Sequence, residues 1–144
     1  MEDCIFCKII KNEIPSRKVY EDDEVVAFLD LTQVTKGHTL IVPKKHVADI
    51  YGYDDELAAR TFSRIPKIAK VLRDSDPAIK GLNIVNNNGE LAYQSVFHSH
   101  VHLIPRYSEK DTFHIDFGDN SQKYSPEELD SIANSIQSRM EEQQ

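Results

Sequence analysis

Ser95-Val96-Phe97-His98-Ser99-His100-Val101-His102-Leu103-Ile104-Pro105 carries three of the chain's six histidines. Val101, Leu103 and Ile104 are strand formers, and the stretch predicts a strand over Ser95–Pro105. Side chains alternate along a strand, which puts His98, His100 and His102 on one face, successive members roughly 6.6 Å apart. Packing gains nothing from stacking imidazoles, which titrate near neutral pH. Such a row suits metal ligation, or nucleophilic catalysis in which one imidazole attacks while its neighbours handle charge on a phosphate. Asn87, Asn88, Gly89, Gln94 and Ser95 lie just upstream. Their amides, hydroxyl and flexible backbone suit a phosphoryl group better than a metal-bound hydroxide. No acid lies between Gln94 and Pro105, so a mixed histidine–carboxylate metal centre needs one from elsewhere.

Outward from this strand, four further short strands are predicted. Two lie between Val19 and Leu29 around the acidic turn Glu21-Asp22-Asp23-Glu24, one over Gly37–Pro43, and one over Gly81–Asn86. Ile5, Phe6, Ile9 and Ile10 share one helical face, and the Ile14-Pro15 step is expected to end that helix. Leu57, Phe62, Ile65, Ile68, Ala69 and Leu72 recur at helical spacing over Asp54–Leu72, with Pro66 expected to kink the helix. Ser125-Pro126-Glu127-Glu128 reads as a helix start, a capping serine followed by proline at the first helical position. Short strands and two main helices without βαβ alternation predict an α+β fold: an antiparallel five-stranded sheet with a C-terminal helical tail.

Composition narrows the partners. The 144-residue chain is 40% hydrophobic and 28% charged, with a net charge of −7. Residues 1–108 hold 15 acidic and 14 basic side chains; residues 109–144 hold 9 and 3. We therefore expect a near-neutral domain over 1–108 and an acidic extension over 109–144, and no long nucleic acid as partner. No apolar run approaches the roughly 20 residues of a membrane span, and no charged-then-apolar leader opens the sequence. The two cysteines, Cys4 and Cys7, are too close to close a useful disulfide loop, which favours a cytoplasmic location.

The histidine stretch resembles the signature of the histidine triad (HIT) family, three histidines alternating with hydrophobic residues. The likeness runs from Cys4 to about Tyr107. It takes in Ile5-Phe6 with Lys8-Ile9-Ile10, Phe28-Leu29-Asp30, Gly37-His38-Thr39-Leu40-Ile41-Val42-Pro43-Lys44-Lys45-His46, and Asn87-Asn88-Gly89 before Gln94-Ser95. It is most similar to the bacterial, Hint-like branch of homodimeric nucleotide-binding hydrolases and transferases. The resemblance implies that His100 attacks the α-phosphorus of a purine nucleotide derivative, forming a covalent nucleotidyl-imidazole that water releases. His102 and Ser95 would contact the phosphate and leaving group, Asn87 and Gln94 would add hydrogen bonds, and His38 would support the nucleophile. Asp30 would accept from the ribose hydroxyls. Ile5, Phe6, Ile9, Phe28 and Leu31 would form an apolar slot for the base. A homodimer would form through the Asp54–Leu72 helix and the strand near Gly81–Asn86.

Two positions depart from the family pattern. Ser99 replaces a hydrophobic residue between the first two histidines, on the face opposite them. Tyr93 stands where glycine is common, and its bulk is expected to reshape the phosphate loop or narrow the choice of leaving group.

Cys4-x-x-Cys7 alone has redox, metal and accidental readings. A tetrahedral site needs two more ligands, usually histidines. In zinc-bearing members of the family these are the histidine of the Lys-Lys-His segment and the first of the triad, here His46 and His98. The resemblance thus implies a closed, structural zinc and no catalytic metal, with reduced buried thiols as the alternative for the pair. Other residues carry blander expectations: Tyr51 and Tyr53 as packing, Arg106 in a surface ion pair, and His114 unrelated to the site. Two rival functions stand beside the nucleotidyl-histidine enzyme: a zinc-dependent hydrolase using the histidine row, and a catalytically quiet nucleotide-binding scaffold dimer.

Overall fold

A computed structural model describes residues 3–143. Five strands, β1 (Lys18–Glu21), β2 (Val25–Leu29), β3 (Thr39–Pro43), β4 (Gly81–Val85) and β5 (Val101–Arg106), form one sheet in the order β1-β2-β3-β5-β4, every pairing antiparallel. The α+β architecture expected from the pattern of short strands is the one observed.

β2 and β3 read as unbroken apolar runs because both faces of the sheet are covered. The register sets Val26 against Val42 and Phe28 against Leu40. These four pack with Phe6 and Ile9 of helix α1 (Ile5–Ile10) on one face. Val25, Ala27, Ile41, Val101 and Leu103 fill the other face with Ile68 of helix α3 (Ile65–Asp74). Burying each large apolar side chain contributes about 1.5–3 kcal/mol, so the two clusters carry most of the fold's stability. The acidic turn is tied down by Asp22. Its carboxylate accepts from the Glu24 and Val25 amides at 2.8 and 2.9 Å, from Tyr20 Oη at 2.7 Å and from Arg64 Nε at 2.8 Å.

Two helix expectations are corrected and a third is met. Helix α1 ends at Ile10, well before Ile14-Pro15. Asn12 adopts φ 61°, and the Asn12 and Glu13 amides bond back to the Ile9 and Lys8 carbonyls at 3.0 and 2.9 Å. This left-handed cap suits asparagine and closes the helix. Pro66 does not kink a continuous helix. The segment breaks into α2 (Asp55–Phe62) and α3, with Pro66 in the first turn of α3, where its missing N–H costs nothing. The helix expected after Ser125 is α4 (Pro126–Glu142), opened by a reciprocal bond pair between Ser125 and Glu128.

The strand expected over Ser95–Pro105 is also shorter. β5 begins at Val101, paired with Ile41. In that register Pro43 would next face Ser99, and proline has no N–H to donate to the ladder. Only His102 of the three histidines therefore lies within a strand; His98 and His100 precede it. The even row gives way to three separately held rings.

The chain divides into two compact units, Met1–Phe113 and His114–Gln144. Residues 109–113 pack with the first: Asp111 accepts from Arg106 Nε and the Tyr107 amide, each at 2.9 Å, and Thr112 Oγ1 donates to the Val34 carbonyl at 2.6 Å. The second unit carries α4, which buries no side chain. Among the described residues, no helix is long and apolar enough to cross a membrane.

Candidate active site

His100 is 7% exposed, and its Nδ1 lies 2.8 Å from the His98 carbonyl. A carbonyl can only accept, so Nδ1 carries the proton. A neutral imidazole has one N–H, which leaves Nε2 as an unprotonated lone pair. Burial pushes the His100 pKa below its ordinary value, although the His98 carbonyl and the Asp30 carboxylate pull it up. The ring is therefore neutral at physiological pH. Phe6 meets it edge-on at 5.0 Å and meets His98 in the same way at 6.0 Å.

The proton on His102 is set by a relay. The Val34 amide approaches His38 Nδ1 at 3.4 Å, which assigns the His38 proton to Nε2. That N–H donates to His102 Nδ1 at 2.9 Å, so the His102 proton sits on the outer nitrogen, Nε2. Burial pushes His102 down to about 4, helped by its imidazole neighbours, and burial lowers His38 as well. Asp30 Oδ2 lies 3.8 Å from His38 Nε2. Burial works to raise the Asp30 pKa, but bonds from the Thr32 amide and hydroxyl hold it below the usual carboxylate range. The His100 and His102 ring centres are 5.0 Å apart. Two neighbouring rings thus carry a bare nitrogen on one and a donor N–H on the other, within the field of the Asp30 carboxylate.

A cavity of about 270 Å³ adjoins Phe6 and is lined by Ile5, Phe6, Ile9, Phe28, Asp30 and Leu31, the full set expected for the base and ribose. Residues Ile14–Arg17, Leu29, Leu40 and Val96 complete it. The slot reaches the histidines only through Phe6, while two other cavities of about 260 and 270 Å³ flank α3 and hold no carboxylate. The polar loop residues divide. Ser95 is exposed and lines a depression that shares Ile5 and Val96 with the slot. Asn87 is half-buried. Gln94 is buried and faces the main chain: its amide donates to the Ala48 and Val96 carbonyls at 2.7 and 3.1 Å and accepts from the Gly89 amide at 2.8 Å. It shapes the loop rather than reaching outward.

Sequence reasoning missed Asn86, whose amide donates to the His100 carbonyl at 2.9 Å. Asn88 braces it, donating to Asn86 Oδ1 at 2.7 Å while accepting from the Ile50 amide at 2.7 Å. Asn86 reads only as the end of a strand until the register brings it to the His100 carbonyl. Tyr93 adopts φ 71°, which explains why glycine suits this position, and its side chain is 86% exposed. The strain is in its backbone. Tyr53 does more than pack: its hydroxyl donates to Ser99 Oγ at 3.0 Å.

A second cluster lies beside the first. Cys4, Cys7, His46 and His98 bring their donor atoms within 4.8 Å of one another. Cys4 Sγ and Cys7 Sγ lie 3.4 and 3.6 Å from His98 Nδ1; Cys7 Sγ lies 3.4 Å from His46 Nδ1, and the two Nδ1 atoms are 3.1 Å apart. Tetrahedral zinc with sulphur and nitrogen ligands requires donor separations of about 3.3–3.8 Å, close to those seen. His98 Nε2 donates to the Pro43 carbonyl at 2.8 Å, which leaves Nδ1 unprotonated and aimed at the thiols, as a metal ligand must be. The residue types and spacing fit zinc.

Residues 11–109 match the family profile described as the HIT domain. A crystal structure of a HIT family member from Bacillus subtilis matches with a TM-score of 0.92 and 53% identity, over 95% of this chain and 96% of that one. An adenosine 5'-monophosphoramidase of Schizosaccharomyces pombe is 36% identical over 137 residues, 95% of this chain and 98% of its own. A Zn-bound histidine triad family protein from Mycobacterium smegmatis matches with a TM-score of 0.72 and 30% identity, over 96% and 98% of the two chains. With the family profile spanning most of its first unit and these likenesses covering nearly its full length, the chain belongs to the HIT family.

Proposed function

We propose that the protein is a nucleotide hydrolase or nucleotidyl transferase that cleaves nucleoside phosphoramidates, adenylates or dinucleoside polyphosphates at the α-phosphorus. One observation carries this reading: His100 Nδ1 is bonded to the His98 carbonyl at 2.8 Å, which frees Nε2 as a nucleophile. A purine base enters the slot between Phe6, Ile9 and Phe28, and the ribose hydroxyls donate to Asp30. His100 Nε2 bonds to the α-phosphorus as the bond to the leaving group breaks. In a phosphoramidate the leaving nitrogen takes up a proton from solvent, so that an amine departs, and the water that later attacks phosphorus returns one. The positive charge on the nucleotidyl-imidazole is held by the His98 carbonyl, while His102 Nε2–H and Ser95 donate to the phosphoryl oxygens. Each such donor in a desolvated site is worth about 3 kcal/mol of transition-state stabilisation. Water then attacks phosphorus, releases the nucleoside monophosphate and restores His100. The S. pombe relative, a phosphoramidase by name, supports this substrate class.

Cys4, Cys7, His46 and His98 would hold one zinc ion, which when bound supplies a cross-link between α1 and the loops flanking the sheet rather than an activated water. The Zn-bound M. smegmatis neighbour supports it. A catalytic ion held by the histidine row is disfavoured, because the rings have separate partners. Asp30, His38 and His102 do bring three donors together, but the proton on His38 Nε2 already fills the gap between the two rings. The open edge of β4, where Ile84 is 56% exposed, and Val71 of α3, 67% exposed, support a homodimer. A cytoplasmic location belongs to the same reading.

The test is hydrolysis of adenosine 5'-monophosphoramidate by the unmodified protein and by His100→Ala, with zinc content measured in both. Activity falling by about 10³-fold or more at unchanged zinc supports covalent catalysis. Zinc leaving together with activity favours the metal hydrolase. Nucleotide binding without turnover in the unmodified protein favours the scaffold.

A further inference from the structure

The peptide unit joining His98 to Ser99 serves two bonds at once. Its carbonyl accepts the Nδ1 proton of His100 at 2.8 Å, and its N–H donates to the Val47 carbonyl at 2.7 Å. Because a peptide unit is planar, holding the N–H fixes the direction of the carbonyl on its other side. The segment lies outside the sheet, so no ladder bonds steady it. Ser99 is 1% exposed and supplies a further anchor, its Oγ accepting from Tyr53 Oη at 3.0 Å. The Tyr53 ring packs on Phe62 of α2 at 5.1 Å, immediately before Asp54, whose carboxylate caps that helix. A rigid helix end thus reaches, through one hydroxyl pair, the residue beside the nucleophile. Burial raises the Tyr53 phenol pKa, so it stays a donor throughout the working range.

We propose that Tyr53 and Ser99 are positioning residues for His100: their hydroxyl pair holds the His98–Ser99 peptide unit so that His100 keeps its ring orientation and its tautomer, with Nε2 unprotonated. This rests on reading His100 as the nucleophile, and neither residue touches substrate. A hydrophobic residue at position 99 could fill the same volume but would offer no bond to Tyr53.

The test uses the full-length, zinc-supplemented protein with Tyr53→Phe, Ser99→Ala and the double substitution, and adenosine 5'-monophosphoramidate as substrate. Each single change is expected to lower kcat about fivefold, the scale of one hydrogen bond. KM should stay within about twofold, since ground-state binding is untouched. The double variant should lose no more than the worse single, because the hydroxyls act as one unit. It also leaves no buried oxygen unpaired, so it serves where a single variant fails to fold. In ¹⁵N-histidine spectra the two ring resonances of His100, far apart for one fixed tautomer, should draw together in every variant. Unchanged kcat and unchanged His100 resonances alongside a lower melting temperature would overturn the proposal, as would losses that add. If the unmodified protein turns over no phosphoramidate, the proposed reaction fails on its own, and the nitrogen spectra still decide the role of the pair.

Discussion

His98 faces two ways: its ring nitrogen Nδ1 lies 3.4 Å from Cys4 Sγ, while its main-chain carbonyl lies 2.8 Å from His100 Nδ1. The carbonyl is also held through its own peptide unit by Val47, and the ring is anchored by Pro43. The proposed cross-link and the proposed nucleophile therefore share a residue without sharing a function.

Removing the metal from the zinc-loaded protein should accordingly separate stability from rate. Chelation, or Cys7→Ser, is expected to lower the melting temperature by about 10 °C, the scale of losing a few kcal/mol in a chain of this size. The turnover of adenosine 5'-monophosphoramidate at 20 °C should stay within about threefold of the untreated rate, because no step uses the ion. Calorimetry and initial rates on the same samples check this. Turnover lost in proportion to zinc would contradict it.

The acid side of the pH profile should follow burial. His100 lies below the ordinary histidine value, so it takes up a proton only at lower pH than a free imidazole. Single-turnover rates should stay level from pH 8 to about 6.5 and fall only below that range. Stability should decline over an overlapping window. The unfolded chain binds protons on His102 near pH 6.5, whereas the native ring resists until about pH 4. Between those values the unfolded state binds more protons, and the folded state loses stability as pH falls. Melting curves across pH 4–8 test the decline, which His102→Gln should flatten.

Tyr93→Gly should stabilise the protein. A tyrosine at φ 71° costs about 1–2 kcal/mol, partly offset by the extra freedom glycine gains when unfolded. The net expectation is a gain of about 0.5–1 kcal/mol by urea unfolding. Because the side chain points to solvent, the order of preferred leaving groups should be unchanged. A changed order would restore the expectation that its bulk shapes the phosphate loop.

Local sequence was enough wherever local chemistry decided the structure. The β-branched run ending at Pro43, the acidic turn at Asp22 and the serine cap at Ser125 each needed only their neighbours. The slot residues gather because Phe6, Ile9 and Phe28 pack in one apolar cluster and bring their neighbours Ile5, Asp30 and Leu31 with them. What depended on register stayed hidden. The start of β5 follows from Pro43 lying across the sheet, and the bond from Asn86 exists only once the His100 carbonyl is fixed in space. The Phe62–Ile65 break was misread because helical spacing of apolar residues continues across it while the backbone turns. His38 was legible through the family resemblance of its segment, but its bond to His102, 64 residues away, was not.

A quenched single turnover measures the central claim most directly. Protein mixed with a radiolabelled adenosine phosphoramidate, stopped in alkali within milliseconds and digested, should yield a peptide containing His100 with an added adenylyl group, identified by mass spectrometry. The label should be lost in acid, as expected of a phosphorus–nitrogen bond, and should be absent from His100→Ala. Product released at full rate with no labelled peptide, or with the label on another residue, would contradict the account.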